Sequence, residues 1–147
     1  MGLFGSLFSG VSKSVVSFSS EKEAFFAIIY ACVCADGDVS DEEISALVNY
    51  CGNNPIMSGL DLVGTYRRMH DIKNKSGLSE IVSAAIPKIS FDKRPTVFAV
   101  AVDFMLADGV VGPKEQTLLE ELQKGLEVDE ALATKIIEVL IIKNKSN

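Results

Sequence analysis

Apolar residues recur along this chain at the three- and four-residue intervals of a helix, and no stretch alternates as a strand would. From Glu21 to Ala35 the residues Phe25, Phe26, Ile28, Ile29, Tyr30, Cys32 and Val33 leave almost no polar face, which predicts a helix surrounded by others. Ser40 opens a second helix running to about Tyr50, with Glu43 at the capping-box spacing and Ile44, Leu47 and Val48 on one face. Gly52-Asn53-Asn54-Pro55 then reads as a stop and a turn. Ile56, Leu60, Val63, Tyr66 and Met69 to Ile72 predict one helix that ends in the polar run Lys73 to Gly77. Leu78, Ile81, Val82, Ala85, Ile86 and Ile89 form the next stripe, with Pro87 kinking or ending it. A second strongly apolar helix, about Thr96 to Ala107, carries Asp103 as its lone charge and matches the first one. Gly112 and Pro113 restart the chain, and Leu118, Leu119, Leu122 and Leu126 line the helix that follows. Asp129 caps the last helix, in which Leu132, Ile136, Val139 and Leu140 are expected to face inward.

Ahead of these lies an amphipathic segment, residues 1–20, with Leu3, Phe4, Leu7, Phe8, Val11, Val15 and Phe18 at helical intervals. It lacks the basic start and small-residue cleavage site of a signal peptide. Its three glycines weaken it as a free helix, by about 1 kcal/mol each relative to Ala. It requires a surface to lie against: the domain's own core, a membrane surface or a partner groove. The expected architecture is therefore all-α, a single compact bundle of about seven helices over residues 21–147 preceded by the amphipathic N-terminal helix.

Two stretches of the bundle are one stretch written twice. ADGDVSDEE from Ala35 and ADGVVGPKE from Ala107 place Asp36 with Asp108, Gly37 with Gly109, Val39 with Val111 and Glu43 with Glu115. The repeat predicts two pseudo-symmetric helix-turn-helix units. Turn grammar accounts for the glycines, which can end a helix in the left-handed conformation, and for the glutamates as capping residues. It accounts less well for aspartate at the carbonyl end of a helix, where negative charge costs about 0.3–1 kcal/mol and Asn would serve the turn. If the units pack about a pseudo-dyad, Asp36, Glu43, Asp108 and Glu115 converge, and four clustered carboxylates need a cation or raised pKa values. Oxygen ligands favour magnesium or calcium over zinc, since no thiol or imidazole lies in these stretches. An EF-hand does not fit, because counting from Asp36 puts Asp41 at the glycine position and Leu47 at the bidentate glutamate position.

Composition narrows the function classes. A formal charge of -6 and a pI near 4.8 argue against a duplex nucleic-acid surface. The charge is uneven, since Arg67, Arg68, Lys73, Lys75, Lys88, Lys93 and Arg94 crowd a basic middle between acidic flanks. This gives either a solvated face or two faces of opposite potential for a partner, and Asp103 is expected to pair with one of these cations. The three cysteines, Cys32, Cys34 and Cys51, make no zinc pattern and read as buried reduced thiols, fitting a reducing cytoplasm. No apolar run is long enough to span a membrane. His70, the one histidine, reads as a surface residue, and no nucleophile elbow, phosphate-cradling loop or Cys–His pairing appears, so a non-enzymatic protein is expected.

The paired ADG-x-hydrophobic-x-x-x-E motifs, closing two apolar helices in an all-helical chain of this length, resemble the tellurite-resistance protein B (TerB) family. The resemblance covers most of the chain, including the short amphipathic start. It implies a metal site at Asp36, Glu43, Asp108 and Glu115, and a cytoplasmic bacterial role in tellurite resistance or a related stress response. It also implies action through partner proteins at the inner membrane. The second motif departs from acidic-rich relatives in carrying Val110, Gly112, Pro113 and Lys114. A purely structural interaction domain without metal, presenting the Phe4/Leu7/Phe8 stripe, is the other reading.

Overall fold

The computed structural model describes residues 16–35, 37, 39–106 and 111–145. Seven α-helices and no strand occur among them: α1 (Glu21–Val33), α2 (Asp41–Asn53), α3 (Leu62–Ser76), α4 (Leu78–Ala85), α5 (Arg94–Leu106), α6 (Pro113–Gly125) and α7 (Glu130–Lys143). Short 3-10 turns occupy Pro55–Met57, Ile86–Lys88 and Phe91–Lys93. No helix of the described residues is long and apolar enough to cross a membrane.

The expected all-α bundle is built around α1. Every residue from Glu23 to Val33 is buried, as a helix without a polar face demands, and α2, α3, α4 and α5 all pack on it. Of these, α5 is its counterpart in the second unit, burying Val97, Phe98, Ala101, Val102, Met105 and Leu106. Next, α6 packs on α4 and α5, while α7 packs on α5.

The N-terminus of α1 gathers charge. Ser20 caps it by accepting from the Glu23 N–H, and acidic side chains at this end suit the helix dipole. Glu21 accepts from Lys93 Nζ at 2.7 Å and from the Ser90 N–H at 2.8 Å. These two donors hold its carboxyl far below the ordinary 4.5, at about 2. Burial works against the charge of Glu23, but the Arg68 guanidinium and the Ser19 N–H outweigh it and leave that carboxyl below its usual range. Arg68 also donates to the Ser17 carbonyl at 2.7 Å and lies 5.6 Å from the centre of the buried Phe18 ring. Arg94 is itself buried, stacking 3.9 Å from the Phe91 ring centre and donating to the Ile89 carbonyl at 3.1 Å, the Ile86 carbonyl at 3.4 Å and Glu127 at 3.2 Å. Three cations of the basic middle thus hold acidic residues of the flanks.

Several expectations need correction. The segment from Ile56 to Ile72 is not one helix. Asn54 and Pro55 set a 3-10 turn, Gly59 takes φ 86°, a conformation open to glycine, and Asp61 caps a fresh helix by accepting from the Gly64 N–H. In α7 the inward stripe is Ala133, Ile136, Ile137 and Leu140, an i, i+3, i+4, i+7 set, while Leu132 and Val139 are 40% and 62% exposed. Asp103 does not pair with the middle helices. It receives Lys143 Nζ at 3.3 Å and Asn144 Nδ2 at 2.7 Å, both from the end of α7. Of the N-terminal segment, residues 1–15 lie outside the described residues, whereas Phe18 is buried and Val16 packs against the core.

Two predictions follow from the polar contacts. Arg94→Lys, which cannot reproduce the planar fork or the stacking, should cost about 1–3 kcal/mol in denaturant unfolding. Because the folded pKa of Glu21 is depressed, its contribution is present above pH 4.5 and is lost as pH falls toward about 2. Glu21→Gln should therefore lower stability by about 0.5–1 kcal/mol at pH 7, a gap that closes across that acid window in pH-resolved melts.

Candidate functional site

Both motif copies begin where an apolar helix ends. After α1 the chain turns tightly, with the Cys34 N–H donating to the Tyr30 carbonyl at 3.0 Å and the Gly37 N–H to the Cys34 carbonyl at 3.0 Å. Gly37 has φ 97°, the left-handed conformation expected of it. The chain then reaches Ser40, whose Oγ accepts from the Glu43 N–H while the Ser40 N–H donates to Glu43 Oε1, each at 3.1 Å. The capping box read from the spacing is thus formed. In the second copy Gly112 has no side chain to cap with, so half of the box remains: the Gly112 N–H donates to Glu115 Oε1 at 3.0 Å.

The two copies meet. Glu115 is 9% exposed at the first turn of α6, close enough to the end of α1 that its charge acts on the Cys32 thiol. Burial is the larger cause of that thiol's strongly raised pKa, with the Glu115 carboxylate and Cys34 adding to it. Ala35, the residue before Asp36, faces Lys114, Thr117, Leu118 and Glu121 of α6 across a cleft of about 230 Å³. The crossing also runs the other way, since Tyr50 of α2 meets Phe104 of α5 edge to face, with ring centres 5.5 Å apart. The second helix of the first unit therefore touches the first helix of the second, and α6 shares a cleft with the residues that follow α1.

Asp36 and Asp108 themselves lie outside the described residues. Glu43 and Glu115 are placed, each on the cap of its own helix. Among the described residues, no group of three or more His, Cys, Asp or Glu is arranged to hold a metal ion. Capping is compatible with a further role for Glu43, because a carboxylate has a second oxygen and spare lone pairs.

All three cysteines are buried and none is in a disulfide. Burial pushes the Cys51 thiol up to about 11. Cys32 and Cys51 therefore lack the low-pKa, accessible character of a reactive thiol. His70 is exposed, as expected, with Nδ1 3.4 Å from the Tyr30 hydroxyl and its ring stacked on Tyr66. Sequence reasoning missed that the Glu115 charge acts on Cys32. The available signal was the absence of any polar face on α1, which forces even its last turn against another element.

Comparisons with protein-family models, curated proteins and solved structures find no match for this chain.

Glutamine serves the N3 capping position nearly as well as glutamate. Glu43→Gln and Glu115→Gln should each shift chemical-denaturation stability by less than about 0.5 kcal/mol when divalent ions are chelated. A larger loss would mean that the charge, and not only the acceptor, is used within the fold.

Proposed function

We propose that this protein is a non-enzymatic helical module that holds a divalent cation, magnesium or calcium before zinc, between its two motif copies. Asp36, Glu43, Asp108 and Glu115 are the ligands in this reading. The observation that supports it is the approach of the two copies: Ala35, the residue before Asp36, and Lys114, the residue before Glu115, line one cleft, and the Glu115 charge acts on Cys32 in the last turn of α1. A hard cation there offsets both the carboxylate repulsion and the unfavourable placement of aspartate at a helix C-terminus.

The resemblance to the tellurite-resistance protein B family extends the reading to a stress-response assembly. There the module acts through protein partners in the cytoplasm, peripheral to the inner membrane, and cation binding sets the loop conformation that the partner meets. A second reading has its own support, since both placed glutamates already cap their helices. On that reading the motifs are turn grammar and the protein is a structural interaction domain without metal.

Thermal melts separate the two. A ligand at about a hundred times its Kd adds about 2.7 kcal/mol, several degrees in Tm at this chain length. Magnesium or calcium should therefore raise the midpoint over the EDTA-treated protein, and the double variant Asp36→Asn, Asp108→Asn should lose that rise. If neither ion moves the midpoint, and the double variant is neutral or more stable than the parent, the metal reading fails and the structural one stands.

A further inference from the structure

The last helix of the bundle is apolar on two sides. Nine of the fourteen residues of α7 are apolar, and Ala133, Ile136, Ile137 and Leu140 account only for the side packed on the core. Leu132, Val139 and Ile142 are exposed, Ile142 by 73%, and with the exposed Lys135 they recur at i, i+3, i+7 and i+10. That is the a/d spacing of a heptad, the pattern of a helix that packs along a second helix. Elsewhere among the described residues the large exposed hydrophobics are scattered, with Val48 on α2, Val63 on α3 and Phe91 on a 3-10 turn. Single ones need no explanation, whereas a continuous stripe marks a surface that packs against something.

The stripe is complementary to itself. When two copies of α7 run antiparallel about a twofold axis level with Ile137, Leu132 of one copy meets Ile142 of the other and Lys135 meets Val139, and both contacts recur on the far side of the axis. The same register sets each Lys135 within one residue's rise, about 1.5 Å along the helix, of Glu138 on the other copy. Both side chains are exposed, so the pairing that covers the apolar residues also brings opposite charges together twice. A parallel pairing would set Lys135 against Lys135 and Glu138 against Glu138. An anionic lipid surface suits the stripe less, because Glu138 offsets Lys135 midway along it and Lys143 is held by Asp103. We infer that this protein self-associates through α7, as an antiparallel pair about a twofold axis at Ile137. Fourteen residues span about 21 Å, which is short for a standard interface of about 1,200 Å² or more, so the pair is weak and forms with rising concentration. The inference uses none of the four carboxylates of the proposed cation site and does not depend on metal.

Sedimentation equilibrium of the full-length protein from about 1 µM to about 1 mM should show the mass rising from 15.8 kDa toward twice that value. Val139→Glu, at an exposed position where the helical circular dichroism should be unchanged, should hold the protein at the monomer mass. Lys135→Glu and Glu138→Lys should each weaken association by about tenfold, since each alters two pairs, and the two together should restore it. Mixed under oxidising conditions, the Leu132→Cys and Ile142→Cys proteins should join to each other in preference to themselves, the native thiols being buried. A mass that stays at the monomer value throughout overturns the inference, as does a dimer that Val139→Glu leaves unweakened. So does a preference of the Ile142→Cys protein for itself, or association that appears only with phosphatidylglycerol vesicles.

Discussion

The bundle depends on the burial of α1 from Glu23 to Val33. A fully buried Phe or Ile contributes about 1.5–3 kcal/mol relative to leaving it exposed. Phe25, Phe26, Ile28 and Ile29 are all at or below 1% exposure on consecutive turns of that helix. No single ion pair in the molecule approaches that sum, since partly exposed pairs are worth up to about 1 kcal/mol. Of the helices packed on it, α2, α3 and α4 are amphipathic because each needs to supply only one face, whereas α5, its counterpart, is apolar nearly all round. The chain leaves α1 at Ala35, on a cleft lined by Lys114, Thr117 and Leu118 of α6.

Charge then directs the assembly that apolar burial drives. The chain is acidic overall, yet its acidic flanks and basic middle are joined by Glu21–Lys93, Glu23–Arg68 and Glu127–Arg94. The first two tie the start of α1 to α3 and to the turn before α5, on either side of the buried helix. Arg94 goes further, because its guanidinium satisfies two carbonyls of the linker between α4 and α5 while covering the Phe91 ring. Three of the seven cations of the basic middle, which reads in sequence as a solvated face or a partner surface, are thus used to join segments of the chain.

Helix content and order were legible because the apolar period is strong and the punctuation is clear. Ser40 with Glu43, Asp129 and Pro113 each mark a helix start where one occurs. Errors arose where two signals competed. Apolar spacing from Ile56 to Ile72 outweighed Gly59 and Asp61 on paper, but the left-handed glycine and the aspartate cap decide the backbone. In α7 so many positions are apolar that the spacing alone did not choose a face, and Ala133, small and easily overlooked, turned out to be the buried one. The candidate site was legible as a repeat, and the charge of Glu115 reaches Cys32 at the end of α1. What periodicity cannot give is the distance between side chains on different helices, which depends on packing angles set by the whole core.

The burial of α1 also bears on the order in which the molecule can be made. A helix with no polar side must wait for partners, and its most extensive ones, α4 and α5, begin at Leu78 and Arg94. During synthesis from the N-terminus, residues 21–33 leave the ribosome long before either. The nascent chain therefore carries its most apolar stretch uncovered until α4 and α5 have been made, the state in which chaperones bind and aggregation begins. A protein organised around its first bundle helix is committed to folding late and all at once.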